Sequence, residues 1–86
     1  MEELEVRRRR AMYRAQHRGT KELDIVLGRF AEQRVAGMAA DEMAVFEQFL
    51  AVPEPQLYEW VMRGASVADA EFAALVADVR RLNGFK

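Results

Sequence analysis

Leu23, Val26, Leu27, Phe30 and Ala31 recur at i, i+3, i+4, i+7 and i+8. That spacing lines one face of an α-helix and does not suit a strand. No segment sustains a period of two, and the β-branched residues fall inside helical stripes instead of in runs bounded by turns. The expected fold class is therefore all-α. Fourteen of the 44 hydrophobic residues are alanine, which favours helix further and leaves 30 larger apolar side chains for a core.

Breakers divide the chain into five short helices. Residues 2–17 contain no Gly or Pro and run from acids to bases, the order that complements a helix dipole. Gly19 interrupts, Thr20 supplies a cap, and the stripe from Leu23 to Ala31 follows until Gly37, read as a left-handed helix end. Asp41 and Glu42 open a third helix carrying Met43, Phe46, Phe49 and Leu50, which stops before Pro53. Pro55 opens a fourth, with Leu57, Trp60 and Val61 ending at Gly64. Ser66 with Asp69 resembles a capping arrangement for a fifth, striped by Phe72, Leu75, Val76, Val79 and Leu82 and closed by Asn83-Gly84. Gly28, alone inside a helix, is expected to permit close helix packing, with a kink or a partner's close backbone approach as the alternative. Residues 1–86 make one small antiparallel bundle, since a chain of 86 residues has room for one domain.

Composition excludes several functions. Without cysteine there are no disulfides, thiolate metal sites or Cys nucleophile, and one histidine makes no metal site, so no metal residue is assigned. No apolar run approaches the ~20 residues of a membrane span, and Glu2, Glu3 and Glu5 argue against an organellar transit peptide. A soluble protein of a bacterial cytoplasm is the simplest expectation. The one Ser and the one Thr sit where caps are needed, and the glycines are scattered singly, so there is neither an activated nucleophile nor a phosphate loop. No catalytic residue is assigned, and an enzyme is the least favoured class. The methionines and Phe46, Phe49 and Phe72 are assigned to packing.

Two surfaces remain. Arg7, Arg8, Arg9, Arg10, Arg14 and Arg18 make the first 18 residues locally basic, although the net charge is −1. They fit either a solvated helix face paired with the neighbouring glutamates or, as the alternative function, an adaptor gripping nucleic acid or an acidic protein. The overall balance of charge argues against nucleic acid. The second surface is the corner from His17 to Asp24. There Arg18 and Glu22, four apart, are spaced to form an ion pair and Gly19 bares its backbone, which suits either a plain helix turn or a docking site. Tyr58, off the Leu57/Trp60/Val61 stripe, fits a surface aromatic or the edge of the core.

The corner residues Arg18-Gly19-Thr20-Lys21-Glu22 match the RGxxE motif of the SdhE (Sdh5, succinate dehydrogenase assembly factor 2) family of flavinylation factors. HRGTKELDIVLGRFAE from His17 to Glu32, FEQFL, the Pro53-Glu54-Pro55 turn and LYEW resemble further signatures of that family, in order, across residues 14–62. His17 stands where many members carry a second Arg. The resemblance implies a five-helix monomer, not an enzyme. Such a factor binds the flavoprotein subunit of succinate dehydrogenase, and sometimes that of fumarate reductase, and promotes covalent attachment of FAD to a partner histidine. It implies no tightly bound cofactor on this chain, because FAD is attached on the partner. Carried over by position, Arg18, Gly19 and Glu22 are the motif's contact residues, and His17, Asp24, Tyr58 and Trp60 accompany them.

Overall fold

The computed structural model describes residues 3–85, and among them there are five α-helices and no strand. They are α1 (Leu4–Gln16), α2 (Lys21–Arg34), α3 (Ala40–Leu50), α4 (Glu54–Val61) and α5 (Ala70–Leu82), with one 3-10 turn, Val35–Gly37, after α2. No helix among the described residues is long and apolar enough to cross a membrane. The expected helices are all present, and the whole α2 stripe from Leu23 to Ala31 is buried. Met43, Phe46, Phe49 and Leu50 of α3, Leu57 and Val61 of α4 and Val76 and Val79 of α5 join it in one core cluster. Phe72, Leu75 and Leu82, the rest of the α5 stripe, pack against that cluster half-buried.

Helices α1 and α2 form a close antiparallel pair because small residues line their contact. Ala11 and Ala15 are buried on α1, and Gly28 and Ala31 on α2. A Cβ at Gly28 would stand 3.3 Å from Cγ of Gln16, so this glycine serves close packing, as its sequence position suggests. Arginines of α1 then reach α3 and the turn that precedes it. Arg7 pairs with Glu47 at 2.7 Å, and Arg8 donates to the Met38 carbonyl at 2.7 Å while pairing with Glu5 at 3.2 Å. Arg10 is engaged as well, and Arg9 and Arg14 are exposed. Arg7, Arg8 and Arg10 of the basic cluster thus already have partners within the chain.

Three local expectations need correction. Gly37 is not left-handed; the 3-10 turn carries the chain off α2, and among the described residues positive φ occurs only at Gly64 (71°) and Gly84 (79°). Gly84 ends α5 as a Schellman turn, with the Phe85 N–H donating to the Arg80 carbonyl at 2.8 Å and the Gly84 N–H to the Arg81 carbonyl at 3.1 Å, whereas after Gly64 the Ala65 N–H reaches one residue further back, to the Glu59 carbonyl at 2.9 Å. Ser66 is not the cap of α5. It lies exposed in the preceding loop, and Asp69 caps the helix, its Oδ1 accepting the Phe72 N–H at 2.9 Å. Thr20 has the extended backbone of an N-cap but makes no side-chain cap bond, and its Oγ1 is buried without a partner among the described residues.

Candidate functional site

The connection from His17 to Thr20 turns the chain from α1 into α2, and its geometry is set by a residue far along the sequence. Glu54, the first residue of α4, directs its carboxylate into the corner. Its Oε1 accepts from Arg18 Nε at 3.1 Å and Nη2 at 2.9 Å. Its Oε2 accepts the backbone N–H of Gly19 at 2.9 Å and of Thr20 at 3.3 Å. Arg18 also donates through Nη1 to the carbonyl of Leu50, the last residue of α3, at 2.9 Å. Asp24 in the first turn of α2 accepts the Arg18 N–H.

These bonds follow from what helix ends leave unmade. The free carbonyls at the end of α3 attract a cation, and the free N–H groups at the starts of α2 and α4 attract an anion. Arg18 and Glu54 supply one charge to each while neutralising one another. The Arg18 side chain is only 12 % exposed and that of Glu54 26 %, so the pair is better sheltered from solvent screening than a surface ion pair. At the end of α1, His17 Nδ1 lies 2.8 Å from the Tyr13 carbonyl, and its ring stacks on Tyr13 with centroids 4.0 Å apart.

The Arg18–Glu22 ion pair expected from sequence does not form. Arg18 turns inward to Glu54, and Glu22 is exposed and forms no hydrogen bond or ion pair with the described residues. The exposed residues of the corner are therefore His17, Gly19, Lys21 and Glu22, with Arg18 beneath them as their support. Tyr58 joins the corner from α4, lining a cavity of about 330 Å3 with Thr20, Glu54, Pro55 and Glu59. Trp60 does not join it; its ring packs against Phe49 and Phe72 at 6.4 and 6.0 Å. Asp24 is half-buried under the turn.

Sequence reasoning missed two residues. Glu54 passed as part of a proline turn, because nothing local links it to a corner 36 residues earlier. Tyr13, 63 % exposed, was detectable from its position four residues before His17, which puts the two rings on one face. Among the described residues no group of three or more His, Cys, Asp or Glu side chains is placed to hold a metal ion.

A family model described as the flavinator of succinate dehydrogenase matches residues 9–83. The FAD assembly factor SdhE of Acetobacter pasteurianus is 45% identical over 58 residues, covering 67% of this chain and 53% of that protein. The FAD assembly factor SdhE of Coxiella burnetii is 33% identical over 66 residues, 77% of this chain and 80% of its own. The mitochondrial succinate dehydrogenase assembly factor 2 of Debaryomyces hansenii is 30% identical over 66 residues, 77% of this chain and 46% of its own. The chain thus spans about half the length of the Acetobacter and Debaryomyces relatives. These relatives carry the names of assembly factors, not of enzymes, and no solved structure matches. With its all-helical fold, its Arg18-Gly19-Thr20-Lys21-Glu22 corner and a match along most of its length, the chain belongs to the SdhE/Sdh5 family of succinate dehydrogenase flavinators.

Proposed function

We propose that this chain is an FAD assembly factor that docks the flavoprotein subunit of succinate dehydrogenase through the corner between α1 and α2 and promotes its covalent flavinylation. The observation that carries the reading is the corner itself: a bare backbone at Gly19 and a carboxylate at Glu22, exposed together over an internal Arg18–Glu54 clamp. A surface fixed before contact loses little conformational freedom on binding. The binding energy can then shift the immature flavoprotein toward the arrangement in which its histidine and the isoalloxazine ring are aligned. The bond-forming groups belong to the partner, and FAD is attached there, with no cofactor held by this chain. One copy acts per partner, in the bacterial cytoplasm.

Gly19→Arg tests the reading. A Cβ at Gly19 would lie 3.6 Å from the Glu54 carboxylate, so a guanidinium placed there competes with Arg18 and covers the bare peptide. Apo flavoprotein, FAD and either wild type or Gly19→Arg are mixed and covalent flavin is followed by in-gel fluorescence. The variant is expected to give little covalent product, and equal yields would discard the corner as the docking site. The same assay with a fumarate reductase flavoprotein decides whether the activity extends to that enzyme.

The alternative, an adaptor that grips nucleic acid with the amino-terminal arginines, is less well supported. Arg7 and Arg8 are committed to Glu47, Glu5 and the Met38 carbonyl, which leaves fewer cations for phosphates.

A further inference from the structure

The outer face of α1 runs into the corner. Arg9, Tyr13 and His17 follow one another at intervals of four residues, which places them on a single ridge along the helix, and Arg14 lies on the ridge beside it. All four residues are exposed, Tyr13 at 63%. The ridge ends at His17, which is followed directly by Arg18 and Gly19 of the corner.

Two features separate this face from an ordinary solvated helix surface. The first is its aromatic order. The His17 ring stacks on Tyr13 with centroids 4.0 Å apart and planes 18° from parallel, and its Nδ1 lies 2.8 Å from the Tyr13 carbonyl. A carbonyl only accepts, so Nδ1 carries a proton and the imidazole is held over the phenol. A partner can cover two rings fixed in this way with little further loss of side-chain freedom. The second feature is uncompensated charge. Helix α1 carries no acid after Glu5, and Arg9 and Arg14 form no hydrogen bond or ion pair with the described residues. The neighbouring acids are engaged elsewhere: Glu5 pairs with Arg8, Glu47 pairs with Arg7, and Glu32 accepts from Gln16 where α1 meets α2.

We propose that this ridge is a second contact of the docking surface, against which the flavoprotein subunit sets an acidic segment. Carboxylates of that segment pair with Arg9 and Arg14, and an apolar side chain between them covers the Tyr13–His17 stack. The ridge contact rests on the docking proposed above and extends it along α1. The two cations speed and orient the encounter, while the ring pair, of a residue type that often anchors interfaces, holds the complex. Two unpaired guanidiniums on a chain of net charge −1 are few for a nucleic acid, which engages several phosphates at once.

The test measures association and dissociation of the full chain on immobilised apo flavoprotein subunit of succinate dehydrogenase, across a range of ionic strengths. Tyr13→Ala is expected to weaken binding about tenfold, mainly through faster dissociation, and Tyr13→Phe, which keeps the stack, to bind as wild type does. Arg9→Glu combined with Arg14→Glu should slow association about tenfold at low salt and remove most of its salt dependence. Thermal melts show that each variant is folded, and Gly19→Arg reports on the corner separately. Wild-type affinity in Tyr13→Ala, or unchanged salt dependence in the double variant, with binding lost in Gly19→Arg, would overturn the ridge and leave the corner standing. Binding lost in Tyr13→Ala but retained in Gly19→Arg would keep the ridge and discard the corner. Failure of the wild-type chain to bind would overturn both. A short DNA duplex bound more tightly than the flavoprotein, and released by the double variant, would assign the ridge to nucleic acid and overturn the proposal.

Discussion

Arg18 and Glu54 stand 36 residues apart in sequence and 2.9 Å apart in space, and their contact ties the corner between α1 and α2 to the start of α4. Glu54 also receives the Gly19 and Thr20 amides, so the conformation of the corner depends on α4.

Glu54→Ala removes the acceptor for two guanidinium nitrogens and two backbone amides. Hydrogen bonds to a charged group contribute about 1.5–3 kcal/mol when sheltered, and partial exposure of Glu54 places the expected loss near the lower end. Urea unfolding should show the lower midpoint. Hydrogen exchange at the Gly19 and Thr20 amides should accelerate more than exchange in α3.

Glu22 provides the opposite case. It is exposed and forms no hydrogen bond or ion pair with the described residues, so Glu22→Ala should leave stability within about 0.5 kcal/mol of wild type. Covalent flavinylation of the succinate dehydrogenase subunit should nevertheless fall, read by in-gel fluorescence with thermal unfolding as the control. Arg18→Ala should lower both readings, because the side chain is internal.

Gly19→Ala separates backbone access from steric disruption. An added Cβ meets only ordinary contacts at 3.6 Å, and Gly19 has no positive φ, so the fold should be unaffected. A reduced flavinylation rate at unchanged melting temperature would mean that the partner approaches the peptide itself.

Gly28→Ala sets a gain of about 1 kcal/mol in helix propensity against a 3.3 Å approach to the flexible Gln16 side chain, and a change within about 1 kcal/mol is expected. Gly28→Val adds bulk where the two helices touch and should cost about 1–3 kcal/mol by chemical denaturation.

At the start of α5, Asp69→Ala should cost about 1 kcal/mol, whereas Ser66→Ala should be neutral, since only Asp69 accepts the Phe72 N–H. Urea midpoints of the two variants distinguish the cap that forms from the one suggested by sequence.

The helices were legible because their signals are local. Leu23 to Ala31 carry a complete turn-by-turn period, and every residue of that stripe is buried. Ser66 and Asp69 were harder to separate, since both can cap. The choice falls to packing, which holds neighbouring Val67 against the core and delays the helix to Ala70. The RGxxE stretch located the corner but not its wiring. Arg18 at four residues from Glu22 satisfies a helical pairing rule, yet the chain between them is a turn, and Glu54 reaches the guanidinium from another helix. Tyr58 and Trp60 show the limit of spacing arguments. Both belong to one signature in sequence, but α4 sends the first toward the corner and the second into the rings of Phe49 and Phe72.

Because the Glu54 carboxylate reaches back to hold Gly19 and Thr20, the surface offered by the corner is a discontinuous epitope. A linear peptide copied from residues 14–27 would lack its template and should fail to compete with the intact protein, and grafting the five motif residues onto another helical hairpin should transfer nothing unless an acidic residue is supplied across the turn. Recognition of this kind is lost in one step when the scaffold loosens, even with every motif residue still in place.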